Sequence, residues 1–356
     1  MVNLPGGHVS KTDGSVWVIT STGNIWTNTD VASGTLRLGA NNVLPSGITV
    51  NMTGGSLDLA GFNQTIAVLN GTSGPIGNSS TNADSTLTVL GNTNYSGTIQ
   101  NVISNGTHKV ALMVVGGPVT LSGTNTYSGD TTVSSGTLAL TGGGSLTGTS
   151  NINVAAGATL DVSARASGGY AVGASQTLKG NGAFNVIGNL TNSGTIELKL
   201  SKSGATLAND SLNGLTSLTY GGTLKLDVTA SPALAVSDSF KLFNAAAYAG
   251  SFAAFVPATP APGLAWDAST LTTDGTLRLK TGMATNPTNI VFATAGGGQL
   301  DLSWPEDHKG WVLQSNSVSI VEANAWHPVA GSETNTHVLL NIDPAQPGVF
   351  FRLILP

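Results

Sequence analysis

The chain of 356 residues contains no cysteine. Disulfides, thiolate metal sites and a cysteine nucleophile are therefore excluded. Charge is also scarce: Asp, Glu, Lys and Arg make up 9% of the chain, against about 25% in an ordinary soluble domain. The formal net charge of −5 gives no basic surface for a phosphate backbone, so nucleic acid is not an expected partner. No apolar run reaches the roughly 20 residues that a membrane-spanning helix needs. The opening residues do not join a basic stretch to an apolar one, as a signal peptide would. The sequence reads as a segment of a longer exported precursor. Gly and Pro number 47 and 14, about 17% of the chain together, below the roughly 25–30% of low-complexity disorder. With 40% hydrophobic residues and few charges, the composition is that of a folded chain.

A short phrase recurs along this charge-poor background. It reads Gly34-Thr35-Leu36-Arg37-Leu38, Gly55-Ser56-Leu57-Asp58-Leu59 and Gly136-Thr137-Leu138-Ala139-Leu140. It returns as Ala158-Thr159-Leu160-Asp161-Val162, Gly194-Thr195-Ile196-Glu197-Leu198, Gly222-Thr223-Leu224-Lys225-Leu226 and Gly275-Thr276-Leu277-Arg278-Leu279. Each copy is a turn signal followed by period-2 alternation, the mark of a strand with one buried face. Two further phrases accompany it, Gln64-Thr65-Ile66 with Gln176-Thr177-Leu178, and Gly47-Ile48-Thr49-Val50 with Asn151-Ile152-Asn153-Val154. Three short strands per coil predict a roughly triangular parallel solenoid, because a coil that cannot bury its own face must stack on its neighbours. If the phrases stack on one another, Arg37 lies over Asp58, Glu197 over Lys225 and Lys199 over Asp227. Opposite charges in one column are what cross-strand pairing favours.

Residues Val119-Thr120-Leu121-Ser122-Gly123-Thr124-Asn125-Thr126-Tyr127-Ser128-Gly129-Asp130, continuing through Thr131 to Leu138, resemble the autotransporter-associated β-strand repeat. Leu90-Gly91-Asn92-Thr93-Asn94-Tyr95-Ser96-Gly97 is a fainter copy. The resemblance implies an all-β, right-handed parallel β-helix from the passenger region of a bacterial surface protein, placed outside the cell or on its outer surface. Residues after 282 hold too few strands for a membrane β-barrel translocator.

The composition changes near the C-terminus. Aromatics at Phe240, Phe243, Tyr248, Phe252 and Phe255 suggest a terminal coil and cap for residues 240–280, since an open solenoid end exposes strand edges. The expected division is a β-helix over 1–282, a linker over 283–289 and a small β-sandwich over 290–356. In the last segment, Gln299–Trp304, Gly310–Gln314, Trp326–Val329, His337–Ile342 and Val349–Leu353 read as strands at sandwich spacing. The order of its aromatics resembles a fibronectin-III-like module, as found at the end of large secreted proteins of verrucomicrobial and planctomycete type.

No nucleophile elbow, zinc-protease motif, Walker loop or dinucleotide fingerprint is present. Surface carboxylates offer the one enzymatic reading, because polysaccharide-cleaving enzymes work with paired acids. The candidates are Asp58, Asp84, Asp130, Asp161, Glu197 and Asp227, each of which also reads as a solubilising outward residue. No cofactor is expected. Calcium is the one candidate ion, where Asp meets backbone carbonyls. His308, His327 and His337 read as loop or surface residues. Trp304 reads as sandwich core, while Trp326, Trp311 and His327 are the candidate binding residues. The expected function is a non-catalytic stalk or adhesin that contacts glycans or other surface proteins. The alternatives are a polysaccharide lyase or hydrolase, or a glycan-binding accessory module.

Overall fold

A computed structural model describes residues 3–261, 263–284, 286–346 and 348–356. The chain divides into two compact units. The first comprises residues 1–230, 240–256 and 269–277, and the second 231–239, 257–268 and 278–356.

The first unit is a parallel β-solenoid of about nine turns. Its first face stacks His8–Lys11, Asn28–Val31, Thr49–Met52, Val68–Gly71 and Thr93–Tyr95, then runs into the second half of Val110–Leu121. The second face stacks Val16–Ile19, Thr35–Leu38, Ser56–Asp58, Pro75–Asn78 and Thr98–Val102. On the third, Gln64–Ile66 and Ser85–Val89 lead to the first halves of Val110–Leu121 and Thr131–Leu140, then to Asn151–Ala155, Thr177–Asn181 and Thr195–Ser203. Alternation sends every second side chain inward. The inward column Leu87, Leu112, Thr131, Ile152, Leu178, Ile196 is almost wholly shielded from water. Each aliphatic member stabilises the stack by about 1.5–3 kcal/mol relative to exposure.

The recurring phrase does not occupy one column. Leu36 and Leu57 pair on the second face, Leu138 and Leu160 on the first, and Ile196 follows Leu178 on the third. The same alternation suits any inward-facing strand, so the phrase marks strands without marking faces. The paired phrases containing Gln64 and Gln176 do share the third face, whereas Thr49 and Asn151 lie on different faces. The wide offset of 28 residues between Glu197 and Lys225 is one coil enlarged by an antiparallel hairpin, in which Thr195–Ser203 turns back as Thr206–Asn209.

The two ends of the stack differ. At the first coil Lys11 points inward opposite Val31 and is fully buried. Its ammonium bonds Asp13 and the Ser33 carbonyl, and the Trp17 ring lies 5.2 Å away. An inward charge of this kind discourages edge pairing. At the far end the rings of Tyr220, Phe243, Tyr248 and Phe252 cluster, with Tyr220 centred 4.9 Å from Phe252 and 5.4 Å from Phe243. The Tyr220 hydroxyl donates to the Leu271 carbonyl at 2.8 Å.

Within the second unit, Val291–Ala295, Gln299–Ser303 and His337–Asn341 form one antiparallel sheet. His327–Pro328, Val312–Asn316 and Phe350–Ile354 form another. Leu302, Trp304 and Leu313 make the sandwich-like core between them, packed by Leu300, Val338, Phe351 and Leu353. Strand Val291–Ala295 was not anticipated, although the Gly296-Gly297-Gly298 turn behind it is a hairpin signal. Within the expected linker, Ala284 is buried and its carbonyl accepts the Trp311 indole N–H at 2.7 Å. Thr285 of that stretch lies outside the described residues.

Candidate binding surfaces

The outward positions of the solenoid form polar columns. On the first face, Ser10, Asp30, Asn51, Asn70, Asn94 and Thr120 succeed one another in register. Asn51 donates to Asp30 at 2.8 Å, and His8 approaches the other Asp30 oxygen at 2.7 Å. The third face carries charge instead. Lys179 and Glu197 are register partners 2.6 Å apart, and Lys225 reaches the second Glu197 oxygen at 3.3 Å. Partial burial pushes the Glu197 carboxyl up, but the two lysine hydrogen bonds outweigh it and hold the group below the ordinary carboxylate range. The hydrogen bond to Glu197 raises Lys179 in turn. The Glu197–Lys225 pair was legible in sequence; Lys179, 18 residues earlier on the same face, was missed. Lys199 donates to Asn181 at 3.2 Å, and together with Asp227 it lines an open depression beside the hairpin.

The other candidate acids are scattered over the faces and engaged by near neighbours. Asp58 is not a solvated outward residue. It is fully buried, takes Arg37 Nε at 2.6 Å, and accepts the backbone N–H groups of Ala60 and Ser79. Asp84 accepts the Lys109 N–H at 2.8 Å and faces His108 at 2.9 Å, which lowers its pKa. Asp130 holds Asn151, and Asp161 holds Ser163. Asp210, absent from the sequence candidates, is buried and accepts the N–H groups of Gly182 and Lys199, which pins the hairpin to the coil. Among the described residues no three His, Asp or Glu side chains converge as a metal-binding group.

Residues 116–140 show how the corners are built. Gly136 has φ of +72° and stacks so tightly that a Cβ there would lie 1.9 Å from the Gly116 carbonyl oxygen. The Asn125 amide is buried where the backbone ladder gives out. Its Oδ1 accepts the Ile99 N–H at 2.9 Å, and its Nδ2 donates to the carbonyls of Gly123 and Ser145 at 3.1 and 3.3 Å. The Tyr127 hydroxyl, also buried, bonds Thr131 Oγ1 at 2.6 Å. These residues match a family described as the passenger-associated-transport-repeat. The segment is similar to that passenger-type repeat. No curated protein and no solved structure matches the chain. The three positions thus have structural work: Gly136 admits the close stacking, Tyr127 ties into Thr131, and Asn125 satisfies buried backbone groups at a corner. Gln176 repeats the device further along, donating to the Leu146 and Thr149 carbonyls.

In the second unit the tryptophans separate. Trp304 lies in the core, as expected. Trp311, a candidate binding residue, is buried beneath the surface, with its ring 5.1 Å from His308. His308 is not a surface histidine. It is buried between the Asp307 carboxylate at 2.7 Å and the Asn286 carbonyl at 2.8 Å. His337 is exposed beside Asp301. Trp326 is half-buried and His327 exposed, at the edge of the sheet that carries Arg352. The Arg352 guanidinium lies 4.2 Å from the centre of the Trp326 ring.

Proposed function

We propose that the chain is a non-catalytic stalk of an exported passenger protein, displayed outside the cell and contacting glycans or other surface proteins. The observation that carries this reading is a passenger-type repeat set within a stack of closely spaced coils. Coils held by backbone ladders and buried amides make a stiff rod, and the outward Asn, Thr and Ser columns offer many weak polar contacts. The antiparallel tail acts as a fibronectin-III-like terminal module. A cleaving enzyme would need paired acids free for substrate, whereas Asp58, Asp84 and Asp210 are each bound to backbone N–H groups. The test is proteolytic shaving of intact cells of the native source, followed by detection of the chain with an antibody. Digestion without lysis is the expected result; protection until lysis would overturn the reading.

A further inference from the structure

The geometry points to a carboxylate-recognition site on the second unit, formed by Arg352 over Trp326 and taking an acidic polysaccharide. This inference rests on the adhesive reading above and assigns it a ligand chemistry.

Most other cations near a carboxylate have claimed one: Lys11 with Asp13, Arg37 with Asp58, Lys179 and Lys225 with Glu197, Lys309 with Glu306. Arg352 has no carboxylate partner among the described residues. It is nevertheless held in place. Gln314 lies opposite it in register on the middle strand of the sheet, and Pro328 lies opposite Gln314 on the far strand. Its Nε donates to Gln314 Oε1 at 2.9 Å, while the guanidinium plane is carried on Trp326. Both contacts leave the two terminal nitrogens without a protein acceptor among the described residues.

A guanidinium restrained in this way offers a preformed fork. Two parallel N–H groups match the two oxygens of a carboxylate, and little side-chain freedom remains to be lost on binding. The exposed His327 next to Trp326 adds a ring nitrogen for a neighbouring hydroxyl. The fork and the neighbouring ring nitrogen together fit a single carboxylate-bearing sugar with its hydroxyl, engaged one unit at a time along such a polymer.

The test is calorimetric titration of the full chain with polygalacturonate and with its fully methyl-esterified form, at fixed salt. The acid form should bind and the ester should not. Arg352→Gln should weaken binding roughly 10- to 100-fold, the range of a charge-assisted pair. Arg352→Lys keeps the charge but loses the fork, and Trp326→Leu keeps the arginine but loses its support; both should also weaken binding several-fold. Lys309→Gln, a change of surface charge in the same unit, should bind as the parent does. Equal binding of the ester, no binding of the acid, or unchanged binding by Arg352→Gln would each overturn the site, as would preference for an acidic peptide. A chain that bound only neutral glycans would refute this site and leave the stalk reading standing.

Discussion

The buried Asn125 amide permits a sharp test of how the passenger-type repeat holds its coils together. Asn125→Ala removes the acceptor for the Ile99 N–H and the donor to Gly123 and Ser145. Ile99 is fully buried, so its N–H would be stranded away from water at a cost of about 1–3 kcal/mol. The two longer bonds contribute roughly 0.5–1.5 kcal/mol each. The expected loss is therefore about 2–6 kcal/mol, large for a single polar substitution. Urea unfolding followed by circular dichroism should show it, and hydrogen exchange should show it locally as faster exchange at Ile99. Asn125→Asp separates hydrogen bonding from volume. The carboxylate can still accept from Ile99, but its second oxygen faces two carbonyls. Its folded pKa should lie above the unfolded value, so the defect should be full at neutral pH and shrink as the pH falls and the group gains a proton. If Asn125→Ala unfolds within about 0.5 kcal/mol of the parent, within the scatter of ordinary surface changes, the amide is not what closes this corner. A pH-independent, mild Asn125→Asp would refute the donor role in the same way.

Three further outcomes follow from the solenoid. Glu197→Gln should cost about 0.5–1 kcal/mol and leave Lys179 and Lys225 facing each other across the column. Because the folded Glu197 carboxyl is lowered, its contribution is present above the unfolded value of about 4.3 and is lost as pH falls through the folded value; parent and variant should converge in acid, and in high salt. Arg37→Met strands the buried Asp58 carboxylate and should destabilise by roughly 3–5 kcal/mol, measured by urea titration, with Arg37→Lys intermediate. Gly136→Ala should cost more than the roughly 1–2 kcal/mol of a left-handed backbone alone, because its Cβ would meet the Gly116 oxygen at 1.9 Å; a midpoint unchanged in thermal unfolding would count against the close stacking.

What sequence could and could not disclose divides along a physical line. Strands were legible because one buried face imposes period 2, and a charge pair one coil apart, such as Arg37 and Asp58, needs only that period to be found. The burial of Asp58 was not legible, since alternation places it outward and only the Arg37 side chain and the N–H groups of Ala60 and Ser79 enclose it. Face assignment was hidden for a deeper reason. An inward Leu column works equally well on any side of a solenoid, so Leu57, Leu138 and Ile196 share a phrase and occupy three faces. His308 was hidden by its neighbours: in the run Glu306-Asp307-His308-Lys309 a histidine reads as solvated, yet the turn directs its ring inward against Trp311. The buried amides are the most instructive omission. Asn and Gln count as surface residues in any composition argument, but Asn125 and Gln176 are buried because a corner leaves backbone groups that a ladder cannot reach. A charge-poor chain therefore has two uses for its amides. Outward, as at Asn51 and Asn70, they give the solenoid a polar surface without charge; inward, they complete the hydrogen bonding that lets coils of unequal length stack at all.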